Sequence, residues 1–277
     1  MTYDADVLII GGGVTGCGAL RDLALRGIRG ILIDKGDLAS GASGGNHGLL
    51  HSGGRYASSD TETAAECRIE GAILARMAPQ AIDDCGGLFV AVDGDDPGFV
   101  ARFAERCAAA GIDCAPVAID EVRRLEPVIS ERAIAAYAVP DATVDPFRLT
   151  IEQVADARRL ADSLFLPHTE VIGFDIDGGR IRAARCRDTK SGETRVIRAR
   201  QYVNAAGAWS MAVARLAGCG DVRVLYSKGT LVIANIRLTR RVVNRLRPPG
   251  DGDILVPGGT VSILGTTSET VASLDVI

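Results

Sequence analysis

Asp6-Val7-Leu8-Ile9-Ile10-Gly11-Gly12-Gly13-Val14-Thr15-Gly16 opens the chain. The apolar run reads as a buried strand, and the glycines follow it without a break. A helical pattern then runs through Arg26, with Leu20, Leu23, Ala24 and Ile28 as the stripe that faces a sheet. A second apolar run, Ile31-Leu32-Ile33, ends on Asp34. Strand, glycine turn, helix, strand and terminal acid are the parts of a dinucleotide-binding βαβ unit. Gly11 permits the tight turn, Gly13 admits a pyrophosphate close to the backbone, and Gly16 lets the helix pack on the sheet. The helix start at Val14 and Thr15 offers free N–H groups to the phosphates. Asp34 is placed to accept from ribose hydroxyls; its other reading is a solvated strand-end acid.

Around that unit the chain is 277 residues long, room for one large domain or two interlocked ones. A hydrophobic share of 47% supports a sizeable core, and a net charge of −4 argues against a nucleic-acid partner. No apolar run approaches the roughly 20 residues of a membrane-spanning helix, and the N-terminus carries no signal-peptide pattern. Seven scattered cysteines without a CxxC pair argue against a disulfide framework or a metal cluster, and suit a reducing cytoplasm. With three histidines only, a His-rich metal site is not expected.

Further along, periodicity vanishes from Gly36 to Tyr56, where glycine, serine, histidine and arginine crowd together; such long loops are functional more often than not. Helices are predicted over Thr61 to Met77, Pro97 to Ala110, Asp120 to Leu125 and Pro146 to about Leu160. Strands are predicted at Gly87 to Val92 and Ala133 to Val139. Val171 to Ile197 reads as a β-meander with turns at Asp177-Gly178-Gly179 and Lys190-Ser191-Gly192. The chain then returns through a separate strand at Tyr202-Val203. A helix from Ser210 to Ala217 and strands at Val222 to Ala234 and Thr260 to Leu264 complete it.

Six stretches carry a family resemblance: Gly11 to Gly16, Gly41 to Tyr56 (GASGGNHGLLHSGGRY), Thr143 to Leu149 (TVDPFRL), Val203 to Trp209 (VNAAGAW), Asp253 to Pro257 (DILVP) and Gly265-Thr266-Thr267. The chain resembles the D-amino-acid oxidase and glycine oxidase superfamily of FAD-dependent oxidoreductases. Within it, the chain is most similar to FAD-dependent glycerol-3-phosphate dehydrogenases, the large subunit of the anaerobic type. The resemblance implies an α/β fold: an FAD-binding Rossmann-like domain with a β-meander crossover (1–80 and 141–220). An interleaved α+β substrate domain with a mostly antiparallel sheet (81–140 and 221–277) completes it. FAD is the implied cofactor, with Asp34 and Lys35 at its adenosine, Val171 along the adenine, and Ala206, Gly207 and Trp209 beside it. Ser43, Asn46, His47, Gly48 and Leu50 would follow the pyrophosphate, ribityl chain and flavin. Trp209 itself reads more as a core anchor than as a stacking partner, and His168 as structural.

His51 would stand beside the flavin, with Arg55 and Tyr56 facing the substrate and Arg55 on its phosphate. Physical chemistry supports that set: a guanidinium fork suits phosphate oxygens. A neutral imidazole suits removal of a hydroxyl proton while hydride leaves for the flavin. His51 reads equally as a packed spacer, and Arg55 as the partner of a structural carboxylate. The implied reaction is oxidation of glycerol 3-phosphate to dihydroxyacetone phosphate, with electrons passing through partner subunits to quinone. The implied location is the cytoplasm, peripheral on the inner membrane and without a transmembrane segment. The alternatives are an oxidase of 2-hydroxy acids or amino acids on the same fold, or a non-catalytic flavin-binding remnant.

Two departures stand out. Gly45 occupies a position where the anaerobic type usually has Arg, and Lys228-Gly229-Thr230-Leu231 lacks the His of the single-subunit relatives, which places more weight on His51. Family members also continue past this point with further substrate-domain strands, another phosphate-binding Arg and a Gly-Gly-Lys segment. The expectation is a C-terminally truncated chain with an incomplete substrate domain and weaker hold on its cofactor.

Overall fold

The computed structural model describes residues 1–221 and 223–274. The chain divides into two compact units, Met1–Gly45 with Pro146–Tyr226 and a short returning segment from Val271, and Asn46–Asp145 with Ser227–Thr270.

In the first unit, the opening strand Thr2–Ile10 runs parallel to Gly30–Ile33 on one side and to Thr194–Asn204 on the other. Leu164–Leu166 extends the parallel set, and the antiparallel strands Arg180–Asp188 and Thr169–Asp177 finish a six-stranded sheet. Both faces of its centre are covered, which is why the central strands are near-continuous apolar runs. Alternation sorts their side chains. Val7, Ile9 and Leu32 pack with Cys17, Leu20 and Ala24 of the first helix (Val14–Leu25) and with Val154 and Ala157 of the helix Pro146–Ala161. Leu8, Ile10, Ile31 and Ile33 face the opposite way, onto Val171, Phe174, Ala184 and Ile197 of the meander. The third meander run and the returning strand are a single strand, Thr194–Asn204, rather than two. Its far half pairs beside Val7 to Ile10, and polar residues interrupt the apolar signal only on its exposed positions.

The second unit holds a seven-stranded sheet, ordered Val232–Ala234, Val261–Gly265, Ile254–Gly258, Val242–Arg245, Gly87–Val92, Ala133–Val139, Ala115–Pro116. It is antiparallel except where Val242–Arg245 meets Gly87 to Val90. A small sheet joins Leu49–Leu50 and Ile82–Asp83 to Ala142–Val144. That pairing, together with the packing of Tyr56, Ala57 and Ala64 on Phe89 and Phe103, ties residues 46–80 to this unit, whereas the sequence reading grouped them with the nucleotide framework. The helix Thr61–Met77 starts where expected, capped by Asp60, whose carboxylate accepts from Thr63 N–H at 3.0 Å. The expected helix from Pro97 to Ala110 is two, Pro97–Ala101 and Phe103–Ala109. At the break Arg102 turns its guanidinium back onto the Gly98 carbonyl, 3.0 Å away. Of the expected strand from Val222 to Ala234, only Tyr226–Lys228 and Val232–Ala234 are extended, and Val222 lies outside the described residues.

Glycine has two different uses in the first unit. A Cβ on Gly16 would run into the Gly11 carbonyl, and one on Gly11, held at φ +117°, would run into Ala205. Gly27 ends the first helix at φ +72° with open space around it. Gly16→Ala is therefore expected to cost more than about 3 kcal/mol or to abolish folding. Gly27→Ala is expected to cost about 1 kcal/mol. Urea unfolding of the two variants checks the ranking.

Candidate functional site

The first unit carries a cavity of about 410 Å³ at the carboxyl ends of its parallel strands, within the usual range for small-molecule sites. The glycine turn forms one wall. Asp34 stands at the end of the second strand and is engaged by that turn: Oδ2 accepts from Gly12 N–H at 2.7 Å, and Oδ1 from Gly36 N–H at 2.7 Å. Oδ1 also accepts from the Ser40 hydroxyl at 3.4 Å, and Oδ2 keeps a lone pair for a further donor. At the start of the first helix, Val14 N–H donates to Ser43 Oγ at 2.9 Å, so the hydroxyl of the serine loop sits where the helix end favours an electronegative atom. Behind it, burial reinforced by the charge of Asp34 pushes the Cys17 thiol up to about 12, a packed and unreactive group.

Gly11, Gly13, Thr15, Asp34, Lys35, Ser43, Val171, Ala206, Gly207 and Trp209, all expected at the cofactor, line this one cavity. Gly12 and Val14 contribute through their backbone N–H groups. Gly16 serves packing, as the close approach to Gly11 shows. Trp209 is not a core anchor: it is half-buried on the cavity wall, with the Lys35 ammonium 3.8 Å over its ring. Sequence reasoning missed Ser40, Thr169 and Glu170 on the wall; Glu170 was signalled only by its adjacency to Val171. His168, at φ +51°, joins loops through its backbone, donating to Gly36 O and accepting from Thr189 N–H.

A Cβ on Gly13 would meet little but the Ser43 hydroxyl, and one on Gly207, at φ +52°, would meet nothing. The backbone is thus bare where an anion would approach, with a helix N-terminus, a strand-end carboxylate and an apolar slot beside it. These residues fit the ADP half of a dinucleotide.

Asn46, His47, Gly48, Leu50, His51, Arg55 and Tyr56 belong to the second unit and form a separate group. Asn46 Oδ1 accepts from Gly48 N–H at 2.6 Å, closing the turn that delivers His47. His47 Nδ1 accepts from Leu49 N–H at 3.1 Å, so the neutral ring carries its proton on Nε2. The His47 and His51 rings are 6.0 Å apart at their centroids, and His51 and Tyr56 5.5 Å. Half-buried Arg55 donates to the Gly250 carbonyl at 3.2 Å. Burial and, after it, the charge of Arg55 hold His47 below its ordinary value. Burial, then His47 and Arg55, hold His51 down at about 4. Both imidazoles are neutral near pH 7, and His47 already commits its acceptor nitrogen to Leu49 N–H.

Among the described residues no three His, Cys, Asp or Glu side chains gather as a metal site, and no helix is long and apolar enough to cross a membrane.

The fold and the nucleotide cavity define a class, and the DAO family of FAD dependent oxidoreductases matches residues 6–276. The chain belongs to that family, whose cofactor is FAD. Its sequence is 45% identical over 267 residues to one subunit of the anaerobic glycerol-3-phosphate dehydrogenase of Escherichia coli (strain K12), covering 96% of this chain and 49% of that protein. The chain spans about half the length of the curated relatives it matches. In fold it is similar to the L-proline dehydrogenase from P. horikoshii, with TM-score 0.81 and 20% identity over 98% of this chain and 72% of that one. A glycerol-3-phosphate dehydrogenase from Bacillus halodurans, solved with FAD, gives TM-score 0.73 and 23% identity over 98% of this chain and 48% of that one.

A histidine that is held neutral when folded must charge on unfolding in acid. His51 therefore contributes stability that is complete above about 6.5 and is lost as pH falls toward about 4. Its full size is on the order of 3 kcal/mol. Between pH 7 and 5 the wild-type chain is expected to lose more stability than His51→Gln; urea unfolding at both pH values measures the difference.

Proposed function

We propose that this chain is the part of an anaerobic-type glycerol-3-phosphate dehydrogenase that binds FAD and removes the substrate proton, oxidising glycerol 3-phosphate to dihydroxyacetone phosphate. The observation that carries the reading is the neutral His51 ring set beside Tyr56 within the field of Arg55, in a chain 45% identical over 267 residues to a relative of that name. Asp34 accepts from the ribose hydroxyls of the adenosine, and the Val14 and Gly13 backbone receives the pyrophosphate. Lys35, Val171, Ala206, Gly207 and Trp209 shape the adenosine slot, and Ser43, Asn46, His47, Gly48 and Leu50 belong to the loop that follows the cofactor. FAD, when bound, supplies the two-electron acceptor for the hydride that leaves C2 of the substrate.

Arg55 holds the phosphate as a planar cationic fork and can release the Gly250 carbonyl to do so. His51 takes the proton from the C2 hydroxyl. Its basicity is low in the free chain, in part because Arg55 is charged. A bound phosphate dianion offsets that charge and raises the basicity of His51 part of the way, against the burial that is the larger cause of its fall. Tyr56 keeps the His51 ring in place by contact. Electrons then pass to partner subunits and a membrane quinone, the protein lying on the cytoplasmic face of the membrane. The unit Met1–Gly45 with Pro146–Tyr226 serves as the cofactor domain, and the unit Asn46–Asp145 with Ser227–Thr270 as the substrate domain.

Anaerobic mixing of the FAD-loaded chain with glycerol 3-phosphate is expected to bleach the flavin absorbance, whereas lactate, 2-hydroxyglutarate and glycine leave it unchanged. Arg55→Met is expected to lower kcat/KM for glycerol 3-phosphate about 100-fold through loss of a charge-assisted contact. Bleaching by a carboxylate instead would move the assignment to the hydroxy-acid or amino-acid oxidases. FAD retained without reduction by any of these would leave a binding role alone.

A further inference from the structure

The loop that carries His51 and Arg55 is irregular, yet its centre is anchored at one buried carboxylate. Asp141, in the bend between Ala133–Val139 and Ala142–Val144, is 2% exposed. Its Oδ1 accepts from Ser52 N–H at 2.8 Å, across 89 residues of sequence. Its Oδ2 accepts from Asn244 Nδ2 at 3.0 Å, across 103. The Ser52 hydroxyl also bonds Asp141 and accepts from Gly54 N–H at 3.3 Å. Ser52 and Asn244 are 4% and 1% exposed. One carboxylate thus grips the residue that follows His51 and, through the Ser52 hydroxyl, the residue that precedes Arg55.

Space has been made for that grip. A Cβ on Gly87 would lie 2.6 Å from the Asp141 Cβ, although Gly87 begins a regular strand where a β-branched residue is normally favoured. Burial pushes the Asp141 carboxyl up, and the bonds from Ser52 and Asn244 oppose that rise. A buried acid is a costly way to satisfy one backbone N–H; an apolar turn with water access would do as much. What the acid adds is direction: two acceptor oxygens fix Ser52 relative to a strand two-thirds of the chain away.

We propose that Asp141 is a positioning residue for the active-site loop, setting His51 and Arg55 by clamping the turn between them through Ser52. This rests on the roles assigned to His51 and Arg55 above. Asn244 supplies the fixed point, and its Oδ1 has no hydrogen-bond partner among the described residues. That atom makes a sharp distinction between variants possible. Asp141→Asn keeps an acceptor for Ser52 N–H, and its new N–H₂ can donate to Asn244 Oδ1 once the Asn244 amide turns over. Asp141→Ala keeps neither bond.

The test is ¹⁵N-histidine NMR on the FAD-loaded chain, where His47, His51 and His168 are the complete set. In Asp141→Ala the His51 signals are expected to shift and its titration to move from about 4 toward 6.5, while His168 stays put. Asp141→Asn is expected to restore the wild-type His51 signals. Flavin reduction by glycerol 3-phosphate should fall roughly 10- to 100-fold in Asp141→Ala and recover in Asp141→Asn. Ser52→Ala removes only the hydroxyl link and should move His51 in the same direction by less. If Asp141→Ala does not fold, Ser52→Ala decides. A His51 signal that moves no more than that of His168 in the folded variants overturns the proposal. The imidazole signals decide the clamp even if the wild-type chain fails to reduce its flavin with glycerol 3-phosphate, a result that counts against the assigned reaction alone.

Discussion

Everything in the first unit depends on how closely the first helix can approach the strand before it. The Gly16 backbone lies against the Gly11 carbonyl, and Gly11 lies against Ala205, with no room for a side chain at either glycine. One contact sets the helix on the sheet and the other seats the returning strand beside the first. Once both hold, Gly12 N–H points at Asp34 and Val14 N–H at Ser43. Three segments distant in sequence then meet at the carboxyl ends of the parallel strands, the general location of ligands in such sheets. The cavity is a consequence of packing before it is a place for a ligand.

What the sequence made legible was whatever is decided locally. The strand-turn-helix start, the helix Thr61–Met77 and the strands Gly87–Val92 and Ala133–Val139 follow from periodicity and from turn residues, and they stand at the expected bounds. The break at Arg102 was hidden because it depends on where one long side chain folds back. The merger of the last meander strand with the return strand was hidden because exposed polar residues interrupt an apolar pattern without interrupting a ladder. The placing of residues 46–80 was hidden because it rests on two-residue strands, too short to leave a periodic trace. Asp141, Ser52 and Asn244 bear no motif at all; only a fold that joins residues about a hundred positions apart brings them together.

At the site, glycine, alanine and a strand-end acid in order are a signal that the sequence carries by itself, and the structure gathers those residues on one cavity. It misjudged Trp209, since a lone aromatic carries no information about which side of a wall it faces. The histidines were legible as residues but not as chemistry. Their neutrality comes from burial together with Arg55, a property of three side chains on one loop that composition cannot express.

A loop that carries chemistry must be irregular enough to aim its side chains and stiff enough to keep them aimed. Here stiffness comes from the backbone. Gly48 and Gly53 sit at φ +71° and +100°, and a Cβ on either would press on a carbonyl, of Val144 and of Ala64 respectively. Such residues can neither rewind into helix nor extend into strand without losing the space they occupy. The turn bond from Tyr56 N–H to the Gly53 carbonyl, at 2.9 Å, then carries that constraint forward to Arg55 and Tyr56. With the strand pair Leu49–Leu50 fixing one end, and the turn from Gly53 and the Asp60 cap the other, the junction at Ser52 lies between ladder and turn. A buried carboxylate is the group the fold places there.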